Sequence, residues 1–243
     1  AMNARISGRD WGQSCDLLGE PRAALCLLIA DRNANRSDGY RVRDVAAAYP
    51  GGAVDLTIGT PVDPVPAFIQ EALAEASNAH GYPLTIGTAE LRGAIGRWLV
   101  RYRGLSEDTR VGMLPTIGSK EMVALLPALL GLGAGDTVAF PRAAYPTYDV
   151  GARLAGARPL TLDTDADPST WPTDISLLWI NSPGNPDGHV LGVDQMRAVV
   201  LWAREHDVLV ASDECYAMLP WDVDDVPSIL DARVNDGDLT GLF

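Results

Sequence analysis

Residues 177–216 read LLWINSPGNPDGHVLGVDQMRAVVLWAREHDVLVASDECY. Two short apolar runs, Leu177–Ile180 and Val208–Ala211, each lead into a polar cluster, Asn181–Gly188 and Ser212–Tyr216. Between them Met196, Val199, Val200 and Ala203 recur at the spacing of one helical face. Strand, turn, helix, strand, turn is a βαβ unit, and its crossover makes the two strands parallel. Both polar clusters then emerge at the carboxyl edge of the sheet, where open α/β sheets bind ligands. That edge is the candidate site.

The totals narrow what can bind there. A chain of 243 residues, 47% hydrophobic, can build a real core. Its longest apolar run, Ala23–Ala30, is too short to span a bilayer. Asp10, Asp16 and Glu20 precede that run and no persuasive cleavage site follows it, so the expected location is cytoplasmic. A formal charge of −13 argues against nucleic acid or an anionic membrane as partner. Cys15, Cys26 and Cys215 lack metal-ligand spacing and read as reduced core thiols; no metal is expected. Lys120 is the only lysine among 19 basic residues, so its position matters.

Upstream of the βαβ unit, Val54–Ile58 alternates like a strand and runs into the turn Gly59-Thr60-Pro61. Pro66–Ala76 reads as a helix. Thr88 is placed to cap another, with Leu91, Ile95, Trp98 or Leu99, and Tyr102 on one face, ending at Gly104. Met122–Leu130 is a third, and Pro127 should kink it. Gly118-Ser119 just before that helix offers backbone N–H groups and a hydroxyl to an anion, assisted by the helix dipole. Gly131–Gly135 imitates a dinucleotide fingerprint but follows a helix and precedes a strand, the reverse of the required context. Thr137–Phe140 and Arg158–Leu162 read as strands, Tyr148–Ala155 as a helix, and Asp163–Thr173 as an acidic surface loop. Tyr145, at the end of a strand, could stack on a flat ligand.

Asn185, Asp213 and Tyr216 at strand ends, Tyr145 in a loop and Ser119 at a helix start suggest a planar, phosphorylated, heteroaromatic ligand. At these residues the sequence resembles the class I/II aminotransferases, pyridoxal-phosphate enzymes of fold type I, from about Val54 to the end. Asn185 and Asp213 stand 28 positions apart, as in that family. The resemblance implies an α/β fold: a three-layer α/β/α large domain with a mostly parallel sheet. It implies pyridoxal 5′-phosphate as cofactor, amino acid and 2-oxo acid substrates, and a homodimer with shared sites. Residue by residue, Asp213 matches the aspartate that bonds the pyridine nitrogen, and Asn185 and Tyr216 match the pair on the pyridine 3′-oxygen. Tyr145 matches the aromatic on the ring face, and Ser119, with backbone N–H groups of Gly118 and Lys120, matches the phosphate loop. Tyr82 matches a tyrosine that reaches the neighbouring subunit's phosphate, and Gly59 a backbone contact to the substrate carboxylate. Asp187 stands where the family usually has threonine. The stretches Gly-Thr-Pro-Val-Asp-Pro (59–64), Tyr145–Gly156 and Ser212–Tyr216 are most similar to actinobacterial N-succinyldiaminopimelate aminotransferases of lysine biosynthesis.

The family's chemistry also needs a lysine that holds the cofactor and shuttles a proton, followed by a phosphate-binding arginine and a small carboxyl-terminal domain. None has a match here, since Lys120 belongs to the phosphate loop. The resemblance therefore implies a large domain over 46–243 that is incomplete at the C-terminus, preceded by a segment, 1–45, with no assigned role. Asp238–Phe243 reads as the beginning of the strand that leads to the lysine. Without the later strands, Val54–Ile58 and the βαβ strands are expected to lack interior neighbours. Two other functions fit the same residues: a non-catalytic remnant that binds the cofactor or dimerises with a partner, and a plain nucleotide-binding α/β domain.

Overall fold

The computed structural model describes residues 61–243 and, before them, position 48 alone. The segment 1–45, the strand read at 54–58 and Gly59 lie outside the described residues. In chain order the elements are α1 (Ala67–Ala76), α2 (Ala89–Arg103), α3 (Ser119–Leu129), β1 (Thr137–Pro141), α4 (Thr147–Ala155) and β2 (Arg158–Leu162). A short 3-10 turn (Pro168–Thr170) then leads to β3 (Leu177–Asn181), α5 (Val193–Glu205), β4 (Leu209–Asp213) and the one-turn α6 (Ala232–Asn235).

Among the described residues four parallel strands make one sheet in the order β2-β1-β3-β4. Alternation along the strands divides their side chains between two cores. Leu178, Ile180 and Val210 face Met196, Val199, Val200 and Ala203 of α5. Leu177, Trp179, Leu209 and Ala211 face the other way, toward Val123 of α3 and Tyr148 and Ala152 of α4. Helices thus cover both faces, which is the three-layer α/β/α arrangement. The four apolar positions read as one helical face in α5 are all buried.

Local signals place most boundaries. Thr88 Oγ1 accepts the Leu91 N–H at 3.1 Å and starts α2, and Gly104, at φ 70°, ends it in the left-handed region that favours glycine. Helix α3 begins at Ser119, three residues before the Met122 start read from apolar spacing, and encloses Pro127, which is buried. Apolar spacing marks only the buried part of a helix, whereas Ser119-Lys120-Glu121 form a polar first turn.

Two expectations need correction. The 163–173 segment is not simply an acidic surface loop: Trp171 is buried and meets Trp202 of α5 nearly edge-on, with ring centroids 5.3 Å apart. Nor do the strands of the βαβ unit lack neighbours. Strand β3 lies between β1 and β4, and β4 bonds on its far side to residues 241–243, where the Val210 N–H donates to the Gly241 carbonyl and the Ser212 N–H to that of Phe243, each at 2.9 Å. Asp238–Phe243 therefore does start a parallel pairing, at Leu242 opposite Val210. Among the described residues no helix is long and apolar enough to cross a membrane.

Candidate active site

Asn181 and Asp213 are the last residues of β3 and β4 and stand opposite each other in the ladder. Asp213 shares parity with Leu209 and Ala211, so its carboxylate points to the α3/α4 side of the sheet. There a cleft of about 220 Å³ is lined by Ser119, Lys120, Tyr145, Asn185, Asp213 and Tyr216. Those are six of the eight residues expected at the cofactor. Gly118 is the N-cap of α3 immediately before Ser119. Tyr82 does not line the cleft and is fully exposed.

Asp213 is held from behind. Its Oδ2 accepts the Tyr148 hydroxyl at 2.8 Å, and its Oδ1 accepts the Cys215 N–H at 3.3 Å. Tyr148 is 2% exposed, between Phe140 and Trp179. Burial, and then the nearby Asp213 charge, push the Tyr148 phenol far above its ordinary pKa. It stays protonated and so stays a donor to the carboxylate. Sequence reading took Tyr148 only as the start of a helix; its hydroxyl's role depends on a contact across 65 positions.

Asn181 was missed as well, and it fixes the loop that carries Asn185. Its Nδ2 donates to the carbonyls of Asp213 (2.9 Å) and Pro183 (3.1 Å), and its Oδ1 accepts the Asn185 N–H at 2.9 Å. Asn185 Nδ2 then donates to the Tyr216 hydroxyl at 3.2 Å. An amide and a phenol side by side can share one acceptor or one phenolate-like oxygen. Asp187 keeps the turn despite replacing the usual threonine, because its Oδ1 accepts the His189 N–H at 3.2 Å.

At the opposite wall, α3 has no side-chain cap at its N-terminus. Its first-turn N–H groups, the Ser119 hydroxyl and the helix dipole favour an anion there. The Lys120 side chain also reaches this wall: its Nζ sits 5.5 Å from the centroid of the Tyr145 ring. A flat ligand stacked on that face of Tyr145 would displace the ammonium.

Cys215 is not a core thiol. It is exposed and lines the cleft. Partial burial of the sulfur, and then the Asp213 carboxylate, push its pKa up to about 12. Among the described residues no group of three or more His, Cys, Asp and Glu side chains could hold a metal ion.

One further residue supports the edge from below. Glu214 Oε2 accepts Arg103 Nη2 at 2.7 Å and Nε at 3.1 Å, while Oε1 accepts Ser212 Oγ, Ser228 Oγ and the Ile229 N–H. Arg103 is 5% exposed and also donates to the carbonyls of Val226 and Pro227. This pair, with its guanidinium buried and its carboxylate partly so, ties the end of α2 and the 226–229 segment to β4. The sequence offers only an arginine in a last helical turn and a glutamate beside a better-known aspartate, so nothing local announces it.

Known proteins resemble this chain over most of its length. The family model for class I and II aminotransferases matches residues 52–239, and the chain belongs to that family. Its members depend on pyridoxal 5′-phosphate. A probable aminotransferase of Mycobacterium tuberculosis is 56% identical over 82% of this chain and 47% of its own length. The 4-dedimethylamino-4-oxo-anhydrotetracycline transaminase of Streptomyces rimosus is 48% identical over 82% of the chain and 54% of its own length. Among solved structures, N-succinyldiaminopimelate aminotransferase from Mycobacterium tuberculosis aligns with a TM-score of 0.62 and 30% identity, covering 71% of this chain and 48% of that one. The chain spans about half the length of the curated relatives it matches.

The residues fit the family's cofactor on the structure's own terms. A carboxylate backed by a neutral phenol suits a protonated ring nitrogen, and the uncapped helix start suits a phosphate.

Proposed function

We propose that the 220 Å³ cleft holds pyridoxal 5′-phosphate for amino-group transfer between an amino acid and a 2-oxo acid. The observation that carries this reading is the meeting of Asp213, Asn185 and Tyr216 in one cleft whose other wall is the start of α3. When bound, the cofactor supplies an electron sink for the bond broken at the substrate's α-carbon. Asp213 would hold a proton on the ring nitrogen, and the Tyr148 hydrogen bond keeps that carboxylate oriented. Asn185 and Tyr216 would bind the ring oxygen, Tyr145 would pack on the ring, and Ser119 with the N–H groups that follow Gly118 would bind the phosphate. Lys120 lies at the phosphate end and is not assigned the covalent attachment.

Homodimer formation belongs to the same proposal. Tyr82 is fully exposed and away from its own cleft, as a side chain serving a neighbouring copy would be. Gly59 is kept as the substrate-carboxylate contact on resemblance alone.

N-succinyldiaminopimelate has less support as substrate. The likeness to that enzyme stands at 30% identity, while the relative at 48% is named for a tetracycline-type oxo compound. Several relatives at 30–35% identity are LL-diaminopimelate aminotransferases. Substrate names this unlike leave the amino donor and acceptor classes at amino acid and 2-oxo acid.

Equilibrium dialysis against pyridoxal 5′-phosphate and pyridoxamine 5′-phosphate tests the cofactor site. The chain should retain both, and Asp213→Ala should lose at least about tenfold in affinity, the scale of one charge-assisted hydrogen bond. Retention that is equal in Asp213→Ala and Ser119→Ala, with unchanged circular dichroism, would remove the cleft from consideration.

A further inference from the structure

A second and larger cleft, of about 970 Å³, opens beside the first and shares Tyr145, Asn185 and Tyr216 with it. Its volume is at the upper end of small-molecule sites, roughly 300–1,000 Å³. Its outer wall is the segment just after Tyr216, where Leu219, Pro220, Trp221 and Val223 present apolar surface. Trp221 is 93% exposed and Leu219 69%. Such a tryptophan next to a polar cleft is uncommon on a protein surface and marks a place where something flat can be covered.

The charges on this cleft are one-sided. Among the described residues no lysine or arginine lines it; His189 and Asp222 do. His189 Nε2 already sits 2.9 Å from Asp165 Oδ1. An anionic group entering here would be desolvated beside Asp222 without a free cation among the described lining residues. A neutral planar group meets no such penalty and gains the indole face.

The geometry points to this larger cleft as the subsite for the substrate's side group, with a planar apolar occupant, the aryl or fused-ring side group of an amino acid or 2-oxo acid, stacked on Trp221. The inference rests on the smaller cleft being the cofactor site. Continuity through Asn185 and Tyr216, which border both spaces, is what ties the occupant to the cofactor and not to a protein partner. Trp221 is thus a specificity-determining residue, and Asp222 disfavours substrates with a distal carboxylate.

Stable conjugates that join the phosphopyridoxyl group to an amino acid through a reduced carbon–nitrogen bond allow a binding test that needs no turnover. The full chain is titrated with phosphopyridoxyl-tryptophan, with the phosphopyridoxyl conjugate of 2-aminopimelate, and with pyridoxamine 5′-phosphate alone. The tryptophan conjugate should bind about tenfold tighter than the aminopimelate conjugate. Trp221→Ala should abolish most of that preference while leaving pyridoxamine 5′-phosphate affinity unchanged, and Trp221→Phe should restore part of it. Asp222→Asn should narrow the gap by tightening the aminopimelate conjugate. Equal affinities, a preference that survives Trp221→Ala, or an effect of Trp221→Ala confined to oligomeric state would overturn the subsite while leaving the cofactor site standing. Failure of pyridoxamine 5′-phosphate itself to bind would overturn the cofactor site, and the subsite with it.

Discussion

Helices α1 and α5 are both rich in apolar residues, and only one of them is buried by the described chain. Helix α5 connects two neighbouring parallel strands, so its crossover returns it to the sheet, and Met196, Val199, Val200, Trp202 and Ala203 are buried against it. Helix α1 joins no pair of described strands. None of its residues is buried, and Phe68 and Leu73 are 70% and 68% exposed. A helical apolar pattern announces a helix, but connectivity decides whether a surface is waiting for it. The site follows the same division, since the groups that hold one another lie on the elements fastened to β3 and β4.

The comparison can be broken by substitution. Removing the carboxylate of Glu214, 15% exposed at its side chain and paired with Arg103 at 4%, leaves a buried guanidinium without its anion. Glu214→Ala should cost about 3–5 kcal/mol in urea unfolding, and a cost below about 1 kcal/mol would place this pair among solvated ones. Tyr148→Phe deletes a hydrogen bond to a carboxylate and should cost about 2 kcal/mol, with weaker retention of pyridoxal 5′-phosphate in dialysis. Unchanged retention would mean that Asp213 needs no support from Tyr148.

Two smaller effects sharpen the contrast. With its pKa pushed up to about 12, Cys215 remains a thiol at pH values where an ordinary cysteine, of pKa about 8.5, is a thiolate. Alkylation near about pH 9, followed by peptide mass spectrometry, should therefore be slow despite its exposure. Because the folded form prefers the neutral thiol, reactivity should rise only toward the higher value, and Asp213→Asn should speed it by removing the nearby charge. Rapid labelling at ordinary thiol rates would contradict the effect of burial and of Asp213. In α1, Phe68→Ser should change the unfolding free energy of the chain by no more than about 0.5 kcal/mol. A larger loss would show that α1 is covered in solution.

Much of the scaffold was legible because its signals are local. The period of α5, the cap at Thr88, the glycine at 104 and the alternation into Asn181 and Asp213 all act within a turn or a strand. Six residues were proposed for the cofactor from motif order, and one cleft gathers them. What escaped was long-range. Tyr148 looks like any aromatic on a helix until β4 brings Asp213 to its hydroxyl, and Glu214 gains meaning only when α2 delivers Arg103 from 111 positions away. Trp171 sits in an acidic run, so its burial could not be read from its neighbours. The polar first turn of α3 has no apolar period, which is why its start was placed three residues late.

The parallel register between β3 and β4 has one more consequence. Asn181 and Asp213 occupy the same rung, so the gap between the two polar clusters is counted in pleats and not in chain length. Residues may be added or lost in the turn at 186–192 without altering that gap. Deleting a single residue inside β4 would bring Glu214 to the rung and swing Asp213 to the α5 side of the sheet. The sheet works as a vernier with two settings, and only one of them faces the cleft.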